Sequence, residues 1–258
     1  MKIAVFQFAS SADIGENEKK ICGAIAHAAE EKVRLLVFHE CAACGYPPIE
    51  TPDIDKIDYA ALDALLTKIC ILAKKHDMFI ALGIIRKENS TRYNSMRLIS
   101  PKGTSVGDYD KRALWGWDLN HFDKGSSLGI FDIDGIKVGF RICFEVRFPE
   151  YFRELFTKKV RLCFVSFSDV AEKPSPLRYD IIKAHLLTRA VENVMTVVSV
   201  NSISDYQTAP TAVFDINGKT VSEAPLNKEH LLIYDYEPPT LGYGARGRIE
   251  NSVIAMSK

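Results

Sequence analysis

Three side chains able to do covalent chemistry share one setting. Glu40 lies in LVFHECAACGY (36–46), Lys111 in YDKRALW (109–115) and Cys143 in ICFEVRFPE (142–150), each just beyond an apolar run with strand character. A side chain at a strand's end projects into the mouth of a fold. A strand that ends on a thiol and turns sharply toward a helix lifts the sulfur above the sheet and leaves backbone N–H groups free to meet a developing oxyanion. A thiol needs a base, and Glu40, partly desolvated and with a raised pKa, can take its proton and return it to a leaving amine. Lys111, kept cationic, would stabilise the charge of a tetrahedral intermediate. Together the three residue types describe acyl transfer through a thioester. Taken singly, each has a plainer reading, since free cysteines mostly act as small buried hydrophobes and Glu and Lys are mostly solvated.

The elements that must bring these residues together alternate from the start. Strand-like runs at Ile3–Phe8 and Arg34–Phe38 flank a helix near Glu16–Glu31, and a second helix, Tyr59–His76, carries Leu62, Leu65, Ile69 and Leu72 in one stripe. Alternation of this kind predicts an α/β fold. From Met78 the pattern changes to strands joined by turns, Phe79–Ile85, Tyr93–Ile99 and a strand reaching Tyr109, with a Pro-Lys-Gly turn at 101–103. After Cys143 come a helix at Pro149–Lys159, a strand at Arg161–Phe167, a helix at Leu177–Asn193, a strand at Met195–Val200 and two strands flanking Asn217-Gly218. No linker or low-complexity stretch interrupts the chain, so one domain over 1–258 is expected. The Gly- and Arg-rich segment from about 241 reads as an extension that could pack on a neighbouring subunit.

The 258 residues balance 33 Lys and Arg against 33 Asp and Glu, so no global field favours nucleic acid or a membrane surface. The amino-terminal apolar stretch is too short for a signal peptide, and no run approaches the ~18 apolar residues of a membrane span. A cytoplasmic protein is expected, with its six cysteines reduced rather than paired.

At this point the sequence resembles the nitrilase, or carbon–nitrogen hydrolase, superfamily along nearly its whole length. The motifs that carry the resemblance run in order: Glu40 followed by Gly45-Tyr46, Tyr-Asn-Ser (93–95), the Pro-Lys-Gly turn, Tyr-x-Lys-x-x-Leu ending at Leu114, Phe-x-x-Gly (122–125), Cys-x-x-x-Arg-Phe-Pro-Glu from Cys143, and Arg-Ala-x-Glu-Asn (189–193). The resemblance implies a four-layer αββα sandwich of two mixed sheets. It also implies a Glu40–Lys111–Cys143 triad that hydrolyses a small ω-amide or N-carbamoyl compound, or less commonly a nitrile, and releases ammonia. Lys111 and the backbone N–H of Phe144 would hold the oxyanion. Neither metal nor organic cofactor is implied. A homodimer or larger assembly, paired through the helices at 149–159 and 177–193, is.

The match departs in places. Many relatives place a second Glu seven residues before the Gly of Phe-x-x-Gly, where it positions the Lys and the substrate; here that position is Asp118, one methylene shorter. Ala113 and His39 also differ from the common pattern, and Glu145 stands where Asp is frequent. Tyr46 is a candidate for binding or positioning the substrate, Trp115 and Trp117 either line the entrance or serve equally as packing groups, and Arg147 could pair with a substrate carboxylate or instead bind Glu150 or cap backbone. Arg189 and Glu192 are spaced for an ion pair on one helix.

A reading from another class rests on Cys41-Ala-Ala-Cys44, the spacing of half a zinc site or of a thioredoxin-like redox motif. Nothing in the sequence completes it, and Gly45-Tyr46-Pro47-Pro48 follows where a redox motif would open a helix. A non-catalytic binding subunit of the same fold is opposed by the intact triad, and a papain-like enzyme by the want of a histidine base.

Overall fold

The computed structural model describes residues 1–257. The first half contains β1 (Lys2–Gln7), α1 (Ile14–Glu30), β2 (Leu35–Phe38), α2 (Tyr59–Lys75), β3 (Phe79–Glu88), β4 (Thr91–Ile99) and β5 (Ser105–Asp110). The second contains β6 (Ile130–Ile133), β7 (Ile136–Ile142), α3 (Pro149–Thr157), β8 (Leu162–Phe167), β9 (Val170–Ala171), α4 (Pro176–Asn193) and β10 (Thr196–Asn201). After these come β11 (Tyr206–Gln207), β12 (Ala212–Phe214), β13 (Thr220–Glu223), β14 (His230–Asp235) and α5 (Tyr243–Met256).

Two six-stranded sheets form, in the orders β14-β1-β2-β3-β4-β5 and β13-β12-β10-β8-β7-β6. Each has three parallel strands at its centre, β1-β2-β3 in one and β7-β8-β10 in the other, and antiparallel strands at both edges. The period of two along each strand decides the layers. Ile3, Val5, Leu35 and Val37 of the first sheet face Val138, Phe140, Leu162 and Phe164 of the second in a shared core. Alternate residues Ala4, Phe6, Leu36 and Phe38 face outward to Ile21 and Ile25 of α1 and to Leu65 and Ile69 of α2. Cys163, Val165 and Phe167 meet Phe152 of α3 and Leu186 of α4 on the other side. The result is the expected αββα sandwich. Asp13 and Asp58 start the two outer helices, accepting N–H groups of Gly15 at 2.8 Å and Ala61 at 2.9 Å.

Two strands of the large sheets, and the short β9–β11 pair, have no counterpart in the sequence reading. The strand β6 is only four residues long and joins β7 through Asp134-Gly135, both with positive φ (52° and 81°), which is hairpin chemistry. The strand β14 belongs to the first sheet, antiparallel to β1 from the far end of the chain, a pairing that no local pattern reveals. The Gly- and Arg-rich extension is largely helical: α5 buries Ala245 beside Val194 and Ile216, and Arg248 Nη2 donates to the Ile216 carbonyl at 2.8 Å. Its Tyr243, Val253 and Ile254 face outward.

The two sheets are also joined by polar contacts at the carboxyl ends of their central strands. Ser166 Oγ donates to the Phe38 carbonyl at 3.2 Å, and the Ser168 N–H donates to Glu40 Oε2 at 2.8 Å. Ser166 pairs in register with Ile142, the residue before Cys143. The ends of β2, β7 and β8 therefore gather at one place.

Candidate active site

Glu40 follows β2 in a turn that lies directly on β3. Gly83 permits that approach: an added Cβ would stand 2.0 Å from the His39 carbonyl oxygen and 2.6 Å from the Cys41 nitrogen. The Glu40 carboxylate is buried and fully engaged. Its Oε1 accepts Asn94 Nδ2 at 2.7 Å and Lys111 Nζ at 2.8 Å, and its Oε2 accepts the Ser168 N–H. Lys111 follows β5 and is equally buried. Its ammonium also donates to Asp118 Oδ2 at 2.7 Å, and Asp118 Oδ1 accepts the Tyr46 hydroxyl at 2.6 Å. One methylene fewer than Glu does not keep Asp118 from the lysine. It stands on a short 3-10 turn, Gly116–Asn120, that brings its backbone close.

Cys143 directly follows β7 with φ +47°, a left-handed conformation that L residues seldom adopt, and opens a 3-10 turn, Cys143–Arg147, leading into α3. The first N–H groups of such a turn have no intrahelical partner. The turn is fastened by Glu145, which is buried. One Glu145 oxygen accepts the Ile142 N–H at 2.7 Å, the other the Arg112 N–H at 2.7 Å, and the Tyr109 hydroxyl lies 2.8 Å from each. A single carboxylate thus joins the residue before the thiol to the residue after the lysine. Arg189 adds a bond from Nε to the Val146 carbonyl at 3.0 Å while its Nη1 pairs with Glu192 at 2.9 Å, the ion pair that the spacing on α4 suggests.

Lys111 and Cys143 line one cavity of about 350 Å³, together with Tyr46, Trp115, Phe144 and Arg147. Arg178 and Asp169 also line it, held together by Arg178 Nε and Nη2 on the two Asp169 oxygens at 2.8 and 2.9 Å, with Thr208 also donating to Asp169. Arg147 makes no ion pair with Glu150 or with any other carboxylate among the described residues. Trp117 does not line the cavity. It stacks on His121 at 3.6 Å and packs into the outer core of the first sheet.

The electrostatics follow from burial and close charges. Burial pushes the Glu40 carboxyl above the ordinary range, and Lys111 only partly opposes it. Burial would lower Lys111, but Glu40, the neighbouring thiol and Asp118 outweigh it and hold the ammonium well above its usual value. The Cys143 thiol is pushed well up, first by burial and then by Glu40, with Lys111 opposing. The resting site therefore holds a thiol, a carboxylate with a heightened proton affinity and a permanent ammonium.

Cys41 and Cys44 are buried at the turn behind Glu40. Desolvation pushes the first thiol well above its usual range and the second to about 12. No cluster of three or more His, Cys, Asp or Glu side chains suited to a metal ion occurs among the described residues. The redox or zinc reading of this pair has no accessible thiolate to work with.

Asn94, Ser168, Asp169 and Arg178 were not singled out from sequence as functional residues. Asn94 lies within the Tyr-Asn-Ser motif, which was the available signal. The other three depend on contacts between segments far apart in the chain.

Comparison with known proteins agrees with this architecture. The model of the carbon–nitrogen hydrolase family matches residues 2–243. The chain is 33% identical over 170 residues to the 2-oxoglutaramate amidase of Bacillus subtilis (strain 168), a match over 65% of this chain and only 62% of that relative. It is 24% identical over 264 residues to the deaminated glutathione amidase of Dictyostelium discoideum, covering 92% of this chain and 87% of the relative. Among solved structures, a mutant of the amidase from Nesterenkonia sp. AN1 superimposes with a TM-score of 0.85 at 20% identity over 100% of this chain and 95% of that one. It carries the acetamide moiety of fluoroacetamide at its active site cysteine. The matched span and the shared sandwich establish that the chain belongs to the carbon–nitrogen hydrolase family.

Proposed function

We propose that this hydrolase cleaves small amides, ω-amides or N-carbamoyl compounds, through a thioester on Cys143, with Glu40 as base and acid and Lys111 as electrostatic partner. The observation that carries the reading is the buried Glu40–Lys111 pair at 2.8 Å, whose lysine opens into the same cavity as the thiol. Glu40 takes the thiol proton as the sulfur bonds to the carbonyl carbon. Lys111, with the Phe144 N–H, stabilises the resulting oxyanion. The proton on Glu40 then passes to the nitrogen, the C–N bond breaks and ammonia leaves. A water molecule gives its proton to Glu40 and attacks the thioester carbon, the C–S bond breaks, and the sulfur recovers a proton as the acid departs. Burial supports both halves of the cycle, because a carboxyl with a raised pKa is a better proton acceptor than a solvated one. Asp118, tied to Tyr46, holds the ammonium from its other side.

Two cations line the cavity besides the Asp169-bound Arg178: Lys111 is paired with two carboxylates, whereas Arg147 has no ion-pair partner among the described residues. An unpaired guanidinium there favours an amide that also carries a carboxylate. The relative named for 2-oxoglutaramate takes its name from such a compound. Subunit pairing through α3 and α4 is part of the same reading, and the outward-facing Leu177 and Ile181 on α4 support it.

The experiment is a screen of ω-amides, N-carbamoyl amino acids and neutral amides for ammonia release, with intact mass measurement of the protein during turnover. An acyl adduct mapped to Cys143 is expected. Turnover with an adduct elsewhere, or unimpaired turnover by Cys143→Ala, would overturn the assignment.

A further inference from the structure

Glu50 takes no part in the chemistry above, yet it is built into the segment that delivers Tyr46. That segment turns at Gly45 (φ +75°), where an added Cβ would lie 2.8 Å from Glu50 Cβ and 2.9 Å from the Ser11 carbonyl oxygen. Thr51 Oγ1 donates to the Cys44 carbonyl at 2.5 Å. The Glu50 N–H donates to the Tyr46 carbonyl at 2.9 Å, and Glu50 Oε2 accepts the Tyr46 N–H at 2.8 Å. One residue thus grips the Tyr46 peptide groups on both sides. The tyrosine hydroxyl in turn holds Asp118 at 2.6 Å, which holds Lys111 at 2.7 Å.

We propose that Glu50 is a positioning residue for the hydrolytic centre, fixing through Tyr46 and Asp118 where the Lys111 ammonium stands. The proposal rests on Lys111 acting in catalysis. Its chemistry explains why a carboxylate occupies a place that an amide could fill. Burial pushes Glu50 up to about 7, the Tyr46 and Glu50 N–H groups pull it down and Glu40 adds to the rise. Cys44 also faces it, and the Glu50 charge adds to the rise of that thiol. Because the folded value exceeds the unfolded one, the native state binds this proton more tightly, and stability is lost as pH rises from the ordinary carboxylate range through about 7. Gln would avoid that loss and keep an acceptor. A charge retained against stability, on the segment that supplies a site residue, fits a demand for the stronger grip of an ionised acceptor on the Tyr46 N–H.

The test compares Glu50→Gln, Glu50→Ala, Tyr46→Phe and the Glu50→Ala/Tyr46→Phe double variant. The readouts are kcat and KM between pH 5 and 9 and melting temperature at pH 5 and 8. Expected are a wild-type acid limb near pH 7 that disappears in Glu50→Gln and a higher melting temperature for Glu50→Gln at pH 8 than wild type. Glu50→Ala should lose about tenfold or more, in kcat rather than KM, and that loss should not add to the loss from Tyr46→Phe. A Glu50→Gln profile that superimposes on wild type, or additive losses in the double variant, would overturn the proposal. Lys111→Met separates the two claims. If it retains full turnover, the catalytic reading itself fails; if it is inactive while the Glu50 variants behave as wild type, only the positioning role fails.

Discussion

Two cysteines occupy nearly equivalent places in the two sheets. Cys41 follows β2 by a few residues with φ +53°, and Cys143 follows β7 directly with φ +47°. Both stand at the carboxyl edge of a central parallel strand, and both thiols are pushed well up, chiefly by burial. One lies wholly inside the outer core of the first sheet, and the other lines the cavity that Lys111 enters. Residue type, backbone conformation and strand position are therefore not what make a nucleophile here. Under the proposed mechanism, access to the cavity and a base on the opposite sheet are what set Cys143 apart.

The largest test of that contrast is to truncate each thiol. Cys143→Ala is expected to lose activity by on the order of 10⁴-fold or more with little change in stability, while Cys41→Ala stays within about twofold of wild type in activity and loses roughly 1 kcal/mol in urea unfolding. Comparable activity losses in the two variants would erase the distinction.

Next is the role of the base. Because burial and Glu40 push the Cys143 thiol well above its ordinary value, its unaided thiolate fraction is small at neutral pH and grows only under alkaline conditions. Alkylation of Cys143 by iodoacetamide at pH 7 should slow by about 100-fold in Glu40→Gln, with the remaining reactivity displaced to alkaline pH. A neutral-pH plateau in that variant would show that the sulfur needs no help from the carboxylate.

The role proposed for Arg147 should respond more mildly to substitution. Arg147→Met is expected to raise KM roughly tenfold or more for an amide that carries a carboxylate, the scale of one charged hydrogen bond, and to leave butyramide turnover within about twofold. Equal effects on both substrates would assign Arg147 to structure. The smallest effect is expected far from either cysteine, at the exposed Arg34–Asp134 pair (2.6 Å). Arg34→Gln should cost less than about 1 kcal/mol. Arg34 holds the Asp134 carboxyl below its usual range, so that contribution is present at neutral pH and fades as pH falls through the folded value. Denaturant titrations at pH 7 and at acid pH measure it.

Much of this was legible before any coordinates. Each of Glu40, Lys111 and Cys143 announces itself by following an apolar run, a signal carried by a few adjacent residues, and Asp118 followed from counting back along one motif. Strand and helix periodicities carry the α/β class, and the αββα sandwich is what the family resemblance implies. What stayed hidden depends on packing at long range. The Ser168 N–H reaches Glu40 across 128 residues, and Glu145 reaches Arg112 across 33, so neither contact has a local trace. For Trp117 the sequence leaves entrance and packing roles equally open, and only the fold decides for packing, with its ring on His121 four residues on. The partner of β1 was missed for the same reason as Ser168: β14 lies more than 220 residues away.

Gly83 carries neither charge nor nucleophile, yet the passage of the Glu40 turn over β3 depends on its bare backbone. A chain in which only this position gained a methyl group would keep every reactive side chain in its sequence and still lose the carboxylate's place beside the lysine. Sorting working members of such a lineage from silent ones by their acidic, basic and sulfur-bearing residues alone would thus count dead copies as living. An inventory that adds this glycine would catch them.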